Sequence, residues 1–304
     1  MSTHRFTCHS IALPLSPLID GGRIGEGTVL GSSPTAVYLA FDDVVVALTA
    51  RTVPLMPNGA AVIESDGLDA FEAGAVVRAS SRGVRAGRVE VIWDGAVPVD
   101  LAVPLNEGHD ARAVARRGSD LLGALGHDAD PFAAFAGACP ELVAGDGLEP
   151  VRLLFTSLTD GVPEVAREAA NLLTGRGTGL TPDGDDLLAA AAATTIAFGG
   201  PTGLNSGVSE RLRAALLVDE LGDRTGALSA TLLRLAAEGQ VIDPVRTLLD
   251  LTAERATWMR ALIRLGRIGH STGGTYALGC ALTTLVLAGS CKSSHVNQLR
   301  EEKP

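Results

Sequence analysis

The sequence predicts an α+β protein: a β-rich N-terminal sandwich or barrel-like part followed by a mainly helical C-terminal part. Three observations carry this. Residues 28–105 hold short β-branched or alternating runs separated by Gly and Pro, whereas beyond Asn106 the apolar residues recur at helical spacing. Hydrophobic residues make up 46% of the 304, enough to bury a core in each part. The boundary is placed near residue 108, giving a β-rich domain over 1–108 and a mainly helical domain over 109–304.

Strands are expected at 36–41, 44–48, 74–78, 88–93 and 97–103, with Asp94-Gly95 as a hairpin turn between the last two. The second part is expected to hold helices at 110–126, 163–174, 182–198, 206–217, 227–238, 244–266 and 275–288, and a lone strand at 151–155. The apolar stretches 187–198 and 277–289 are too short to span a bilayer and have the length of buried helices. The first residues lack the apolar core of a secretion signal, so the chain reads as soluble and cytoplasmic, with no membrane partner. Cys8, Cys139, Cys280 and Cys291 have no spacing of a metal site or disulfide framework. Twenty-five basic against thirty-five acidic residues give a net charge of −10, which disfavours nucleic-acid binding. The best basic run, Arg82, Arg85 and Arg88, reads as a solvated strand edge.

One local shape occurs twice. The first is Gly175-Arg176-Gly177-Thr178-Gly179-Leu180-Thr181-Pro182-Asp183-Gly184-Asp185-Asp186, running into an apolar helix. Alternate glycines permit positive φ and close ligand approach. Thr181 is expected to cap the helix, with Pro182 at its first position. Gly177, Thr178, Gly179, Thr181, Asp183 and Gly184 are therefore candidates to hold a small anion on free N–H groups. The loop is not a nucleotide P-loop, because no Lys follows its last glycine. Three acids in one helical turn exceed what dipole compensation alone asks for, and Asp183 and Asp186 share a face and repel. Asp183, Asp185 and Asp186 are candidate ligands for Mg²⁺ or for substrate amide nitrogens.

The second turn is Gly266-Arg267-Ile268-Gly269-His270-Ser271-Thr272-Gly273-Gly274-Thr275. Ser271, Thr272 and Gly273 are candidate substrate contacts, with helix capping as the plain alternative for the hydroxyls. His270 is a candidate acid, base or donor near neutral pH. Thr225 and Ser229, in a polar turn between the two, are read as capping residues with substrate contact as the alternative. The two turns are expected to share a cleft, with the His270 ring within about 10 Å of an Asp185 or Asp186 carboxylate, the span of one small ligand contacting both.

The strings at 175–189 and 268–274 resemble the signatures of the AllH-like proteins, and the β-rich start with a helical second half extends the resemblance to residues 20–290. Three departures stand out. Arg176-Gly177-Thr178-Gly179 replaces the frequent Leu-Gly-Pro-Gly; Asp183 stands where Ser is frequent; and the second turn lacks a common Asp, with Thr275 near its place. The resemblance implies a subunit of an oxamate-type carbamoyltransferase, which interconverts oxalurate plus phosphate with oxamate plus carbamoyl phosphate. It implies small anionic substrates and two further protein subunits, one like an acyl-CoA synthetase. In that reading His270, Asp185 and Asp186 are the catalytic residues. The alternatives are an ATP- and Mg²⁺-dependent small-molecule phosphotransferase, and a non-catalytic scaffold subunit whose glycines only permit close helix packing.

Overall fold

Strands build the first hundred residues in a computed structural model that describes residues 4–15, 25–42, 44–127, 137, 139, 142, 148–269 and 271–289. They are β1 (His4–Ala12), β2 (Glu26–Ser33), β3 (Ala36–Phe41), β4 (Val44–Ala50), β5 (Gly59–Val62), β6 (Val76–Ser80), β7 (Gly83–Ala86), β8 (Val89–Ile92) and β9 (Val97–Val99). In β3, Val37, Leu39 and Phe41 face the core while the residues between them are half-buried, the period-2 pattern of a sheet with one wet face. Neighbours run in the order β5-β4-β3-β2-β6-β7-β8-β1, and β1 pairs back onto β5 with Cys8 opposite Val62. Closure makes an eight-stranded barrel and excludes the sandwich. Its interior is filled by side chains such as Phe6, Leu39, Leu48, Phe71, Val77, Val91 and Trp93. Arg82, Arg85 and Arg88 are exposed, as expected, but around β7, which pairs with β6 and β8 and so is not an edge.

Two features of this unit differ from the sequence reading. β1, β2, β5 and β7 were not among the expected strands; the first half of β1, His-Arg-Phe-Thr, is too polar to show a strand period on its own. Nor does Asp94-Gly95 make a hairpin. β8 and β9 both pair parallel to β1, through His4–Thr7 and Ser10–Ala12 respectively, so the turn at 93–96 only steps one broken strand along. Parallel pairing to a shared neighbour leaves no room for the two runs to fold back on each other.

The chain divides into two units, Met1–Ala102 with Gln240–Pro244 and Val103–Gly239 with Val245–Pro304. Gln240–Pro244 joins the first unit, where Val241 N–H donates to the Leu101 carbonyl at 3.1 Å.

Among the described residues ten helices follow: α1 (Ala111–Ala124), α2 (Glu149–Asp160), α3 (Pro163–Leu173), α4 (Asp183–Gly199), α5 (Ser206–Ala215), α6 (Leu221–Arg224), α7 (Ala227–Ala237), α8 (Asp243–Leu248), α9 (Arg255–Leu265) and α10 (Thr272–Leu287). α4 and α10 are buried on nearly every side and pack on each other, as the apolar character of both stretches requires. Among the described residues no helix is long and apolar enough to cross a membrane. The expected strand at 151–155 is the middle of α2. Val151, Leu154, Phe155 and Leu158 are the buried stripe, a helical period that a five-residue window hides. The single helix expected over 244–266 is two, because the Asp250 carboxylate accepts from Thr252 N and Oγ1 at 2.9 and 2.6 Å and ends the first. Buried Arg117 of α1 donates to the carbonyls of Leu248, Asp250 and Ala253 at 2.7, 2.9 and 3.2 Å and lies over the Trp258 ring, fixing that break.

Candidate active site

The repeated shape seen in the sequence is repeated in three dimensions. In the first turn, Gly184 is the second residue of α4, its N–H donates to Arg176 O at 2.9 Å, and a Cβ there would sit 2.0 Å from Leu173 O at the end of α3. In the second, Gly273 is the second residue of α10, its N–H donates to Ile268 O at 3.1 Å, and a Cβ would sit 1.9 Å from Leu265 O at the end of α9. Only glycine lets the backbone of each incoming helix lie against the outgoing one.

The helix starts then bond crosswise. Asp183, first in α4, accepts from Thr275 Oγ1, fourth in α10, at 3.0 Å. Asp186, fourth in α4, lies beside the hydroxyl of Thr272, first in α10. Thr181 completes the junction: its Oγ1 lies 2.8 Å from Thr272 Oγ1 and stands near the Asp186 carboxyl. Two positive helix ends thus meet over acidic side chains, which offset their repulsion. The departures noted at 183 and 275 occupy the two ends of one hydrogen bond.

Three expectations need correction. Thr181 does not cap α4: Pro182 stands at the cap position, no side chain caps the helix, and the Thr181 hydroxyl serves the junction instead. Three of the first-turn amides are not open to an anion, since Gly184 N–H is taken by Arg176 O and those of Asp185 and Asp186 by Pro182 O at 3.0 and 3.1 Å. Nor do the three aspartates form a metal cage. Asp185, two residues from Asp183 and so on another face of α4, accepts from Gly175 N at 2.9 Å, Ser229 Oγ at 2.7 Å and Thr225 Oγ1. Among the described residues no three His, Cys, Asp or Glu side chains stand close enough to hold a metal ion.

Gly177, Thr178 and Gly179 lie in the loop before α4; Thr178, Gly179 and Leu180 are exposed. Gly179 has φ +92° with open space beside its Cα. Ser271 stands at the cap position of α10 without a side-chain capping bond. His270 lies outside the described residues, as does Cys291.

The electrostatics single out Asp186. It is 5% exposed, and burial, followed by the charges of Asp183 and Asp185, holds its carboxyl well above the usual range against the opposing hydrogen bonds of Thr272 and Thr181. Its Oδ2 has no hydrogen-bond partner among the described residues.

Some neighbours escaped the sequence reading. Cys139 Sγ lies 3.1 Å from Thr275 Oγ1, and burial pushes its thiol up to about 11, with Asp183 and Asp186 adding to the rise. Tyr276, buried next along α10, is pushed well above its ordinary value by burial and then by nearby Cys280 and Asp186. No spacing signals Cys139, which joins the junction from a segment far away in the chain. Thr225 and Ser229 were noticed, but neither as partners of Asp185; a hydroxyl pair four apart facing a lone buried acid was the available hint.

No curated protein and no solved structure matches the chain. The resemblance read over 20–290 is matched over its second half: both turns and the helices between them fall in the segment 173–284, and this segment matches the family of the oxamate carbamoyltransferase subunit AllH.

Proposed function

We propose that this chain is a subunit of an oxamate-type carbamoyltransferase, in which oxalurate and phosphate are interconverted with oxamate and carbamoyl phosphate. The observation that carries the reading is the junction itself: the two strings typical of the family, far apart in sequence, meet at one buried carboxyl. The loop at Gly177, Thr178 and Gly179 holds the phosphate or carboxylate, because its glycines expose backbone beside the helix start. Asp186 binds a ureido or amide nitrogen of the substrate. Asp185 is a positioning residue, since both its oxygens are held by the protein. His270, between Gly269 and Ser271, delivers a proton to the departing amide nitrogen or stabilises charge on the carbonyl oxygen. Phosphate oxygen attacks the ureido carbonyl carbon, the C–N bond to the oxamate half breaks, and the proton goes to that nitrogen. The subunit works with two other proteins, one resembling an acyl-CoA synthetase.

One observation favours a scaffold as the second reading: Gly184 and Gly273 are explained by packing alone. The deciding experiment follows carbamoyl phosphate formed from oxalurate and phosphate by the reconstituted complex. Formation without nucleotide, lost when His270 and Asp186 are both replaced, is the expected result. A requirement for ATP would indicate the phosphotransferase, and full activity of the double variant would indicate the scaffold.

A further inference from the structure

The junction leaves one polar atom unaccounted for. Asp186 is nineteen-twentieths buried, yet its Oδ2 meets no partner among the described residues. Native interiors leave few such atoms, and each calls for a reason. The hydroxyls around it have other partners: Thr181 and Thr272 bond each other, and Thr275 donates to Asp183 and meets the Cys139 sulfur. Thr181 is also the last residue of the glycine loop before Pro182, and the three residues preceding it are exposed.

We propose that Asp186 Oδ2 is the contact for a primary carboxamide, the H₂N–C=O group, of a ligand that enters beneath the 177–181 loop. A carboxamide carries an N–H donor and a carbonyl acceptor side by side, so it can meet this oxygen whether or not the carboxyl bears a proton. A phosphate or carboxylate brings negative charge against Asp183 and Asp185, and fits the loop better than this floor. Burial and those two neighbours favour the neutral carboxyl, which suits a neutral group. The choice of oxamate as the probe rests on the carbamoyltransferase reading; the contact itself rests on the unpartnered oxygen.

Oxamate and pyruvate differ by one group, an amide NH₂ against a methyl, and share the ketoacid remainder. Calorimetric titration of the full chain with each is expected to show oxamate bound about tenfold more tightly, the scale of one buried hydrogen bond. Asp186→Leu is expected to erase that preference while leaving pyruvate binding in place, and Asp186→Asn, which retains both hydrogen-bonding functions, is expected to keep it. A purely structural role would weaken both ligands together. Equal affinities in the unaltered chain, no binding of oxamate, or an Asp186→Leu chain that keeps the preference would each overturn the contact. The first two need no variant, so misfolding cannot shield the idea. An amide preference that depends on Asp186, in a chain whose complex makes no carbamoyl phosphate, would leave the contact standing and remove the proposed reaction.

Discussion

At the scale of single residues, three aspartates within four positions have three different duties. Asp185 accepts from one backbone amide and two hydroxyls, and it joins Gly175 to the start of α7. Asp185→Ala strands those donors and is expected to cost about 3 kcal/mol in denaturant unfolding, the range for losing hydrogen bonds to a charged buried group. Asp186 has a different duty. Its folded pKa is raised, so stability is intact below the ordinary value of 3.8 and falls as pH rises towards the folded value. Asp186→Asn has no proton to lose. Its stability relative to the unaltered chain is expected to improve by about 1.4 kcal/mol per pH unit across that window. Unfolding curves at several pH values check this, and a flat difference would mean that the carboxyl is not held protonated. Asp183 belongs with Thr275. Asp183→Ser and Thr275→Asp are each expected to cost about 1–2 kcal/mol, and the double variant to recover most of the loss, because the exchange restores one hydroxyl–carboxylate bond. A double-mutant cycle without coupling would show that the bond carries no energy.

At the scale of elements, the glycines of the turns are of two kinds. Gly184 and Gly273 press on the carbonyls of Leu173 and Leu265, and no Cβ fits. Gly184→Ala is therefore expected to cost at least about 3 kcal/mol or prevent folding. Gly179 has positive φ but open surroundings, so Gly179→Ala is expected to cost only about 1 kcal/mol. Thermal unfolding of the two variants separates packing from conformation, and equal losses would contradict the geometry. The break between α8 and α9 depends on Arg117, whose guanidinium serves three carbonyls and stacks on Trp258. A charge-free Met at 117 leaves those carbonyls without their donor.

At the scale of the whole molecule, a ligand that binds only the folded chain raises its apparent stability. Phosphate at about a hundred times its dissociation constant is expected to add about 2.7 kcal/mol. Gly179→Val, which places a branched side chain at positive φ in the exposed loop, is expected to abolish that gain while the fold persists. Phosphate stabilisation undiminished in a folded Gly179→Val chain would move the anion site elsewhere.

Much of this was legible from residues alone, for a physical reason. Strand alternation at Val37, Leu39 and Phe41 and the apolar lengths of α4 and α10 are local patterns, and local patterns survive in a linear string. The two loop–helix turns were legible too, because alternate glycines before a Pro-Asp start are unusual by themselves. Pairing decided the rest. Whether the β-rich part was a sandwich or a barrel depended on Cys8 meeting Val62, and the fate of Asp94-Gly95 on a strand some eighty residues away. Likewise each aspartate carries the same local signal, a carboxylate in a first turn. Only contacts with Thr225, Ser229, Thr272 and Thr275 separate the one that knits the fold from the one left with an unpartnered oxygen. Hydrogen-bond partners distant in the chain exert no preference on local backbone conformation, so their choice is made by the tertiary structure.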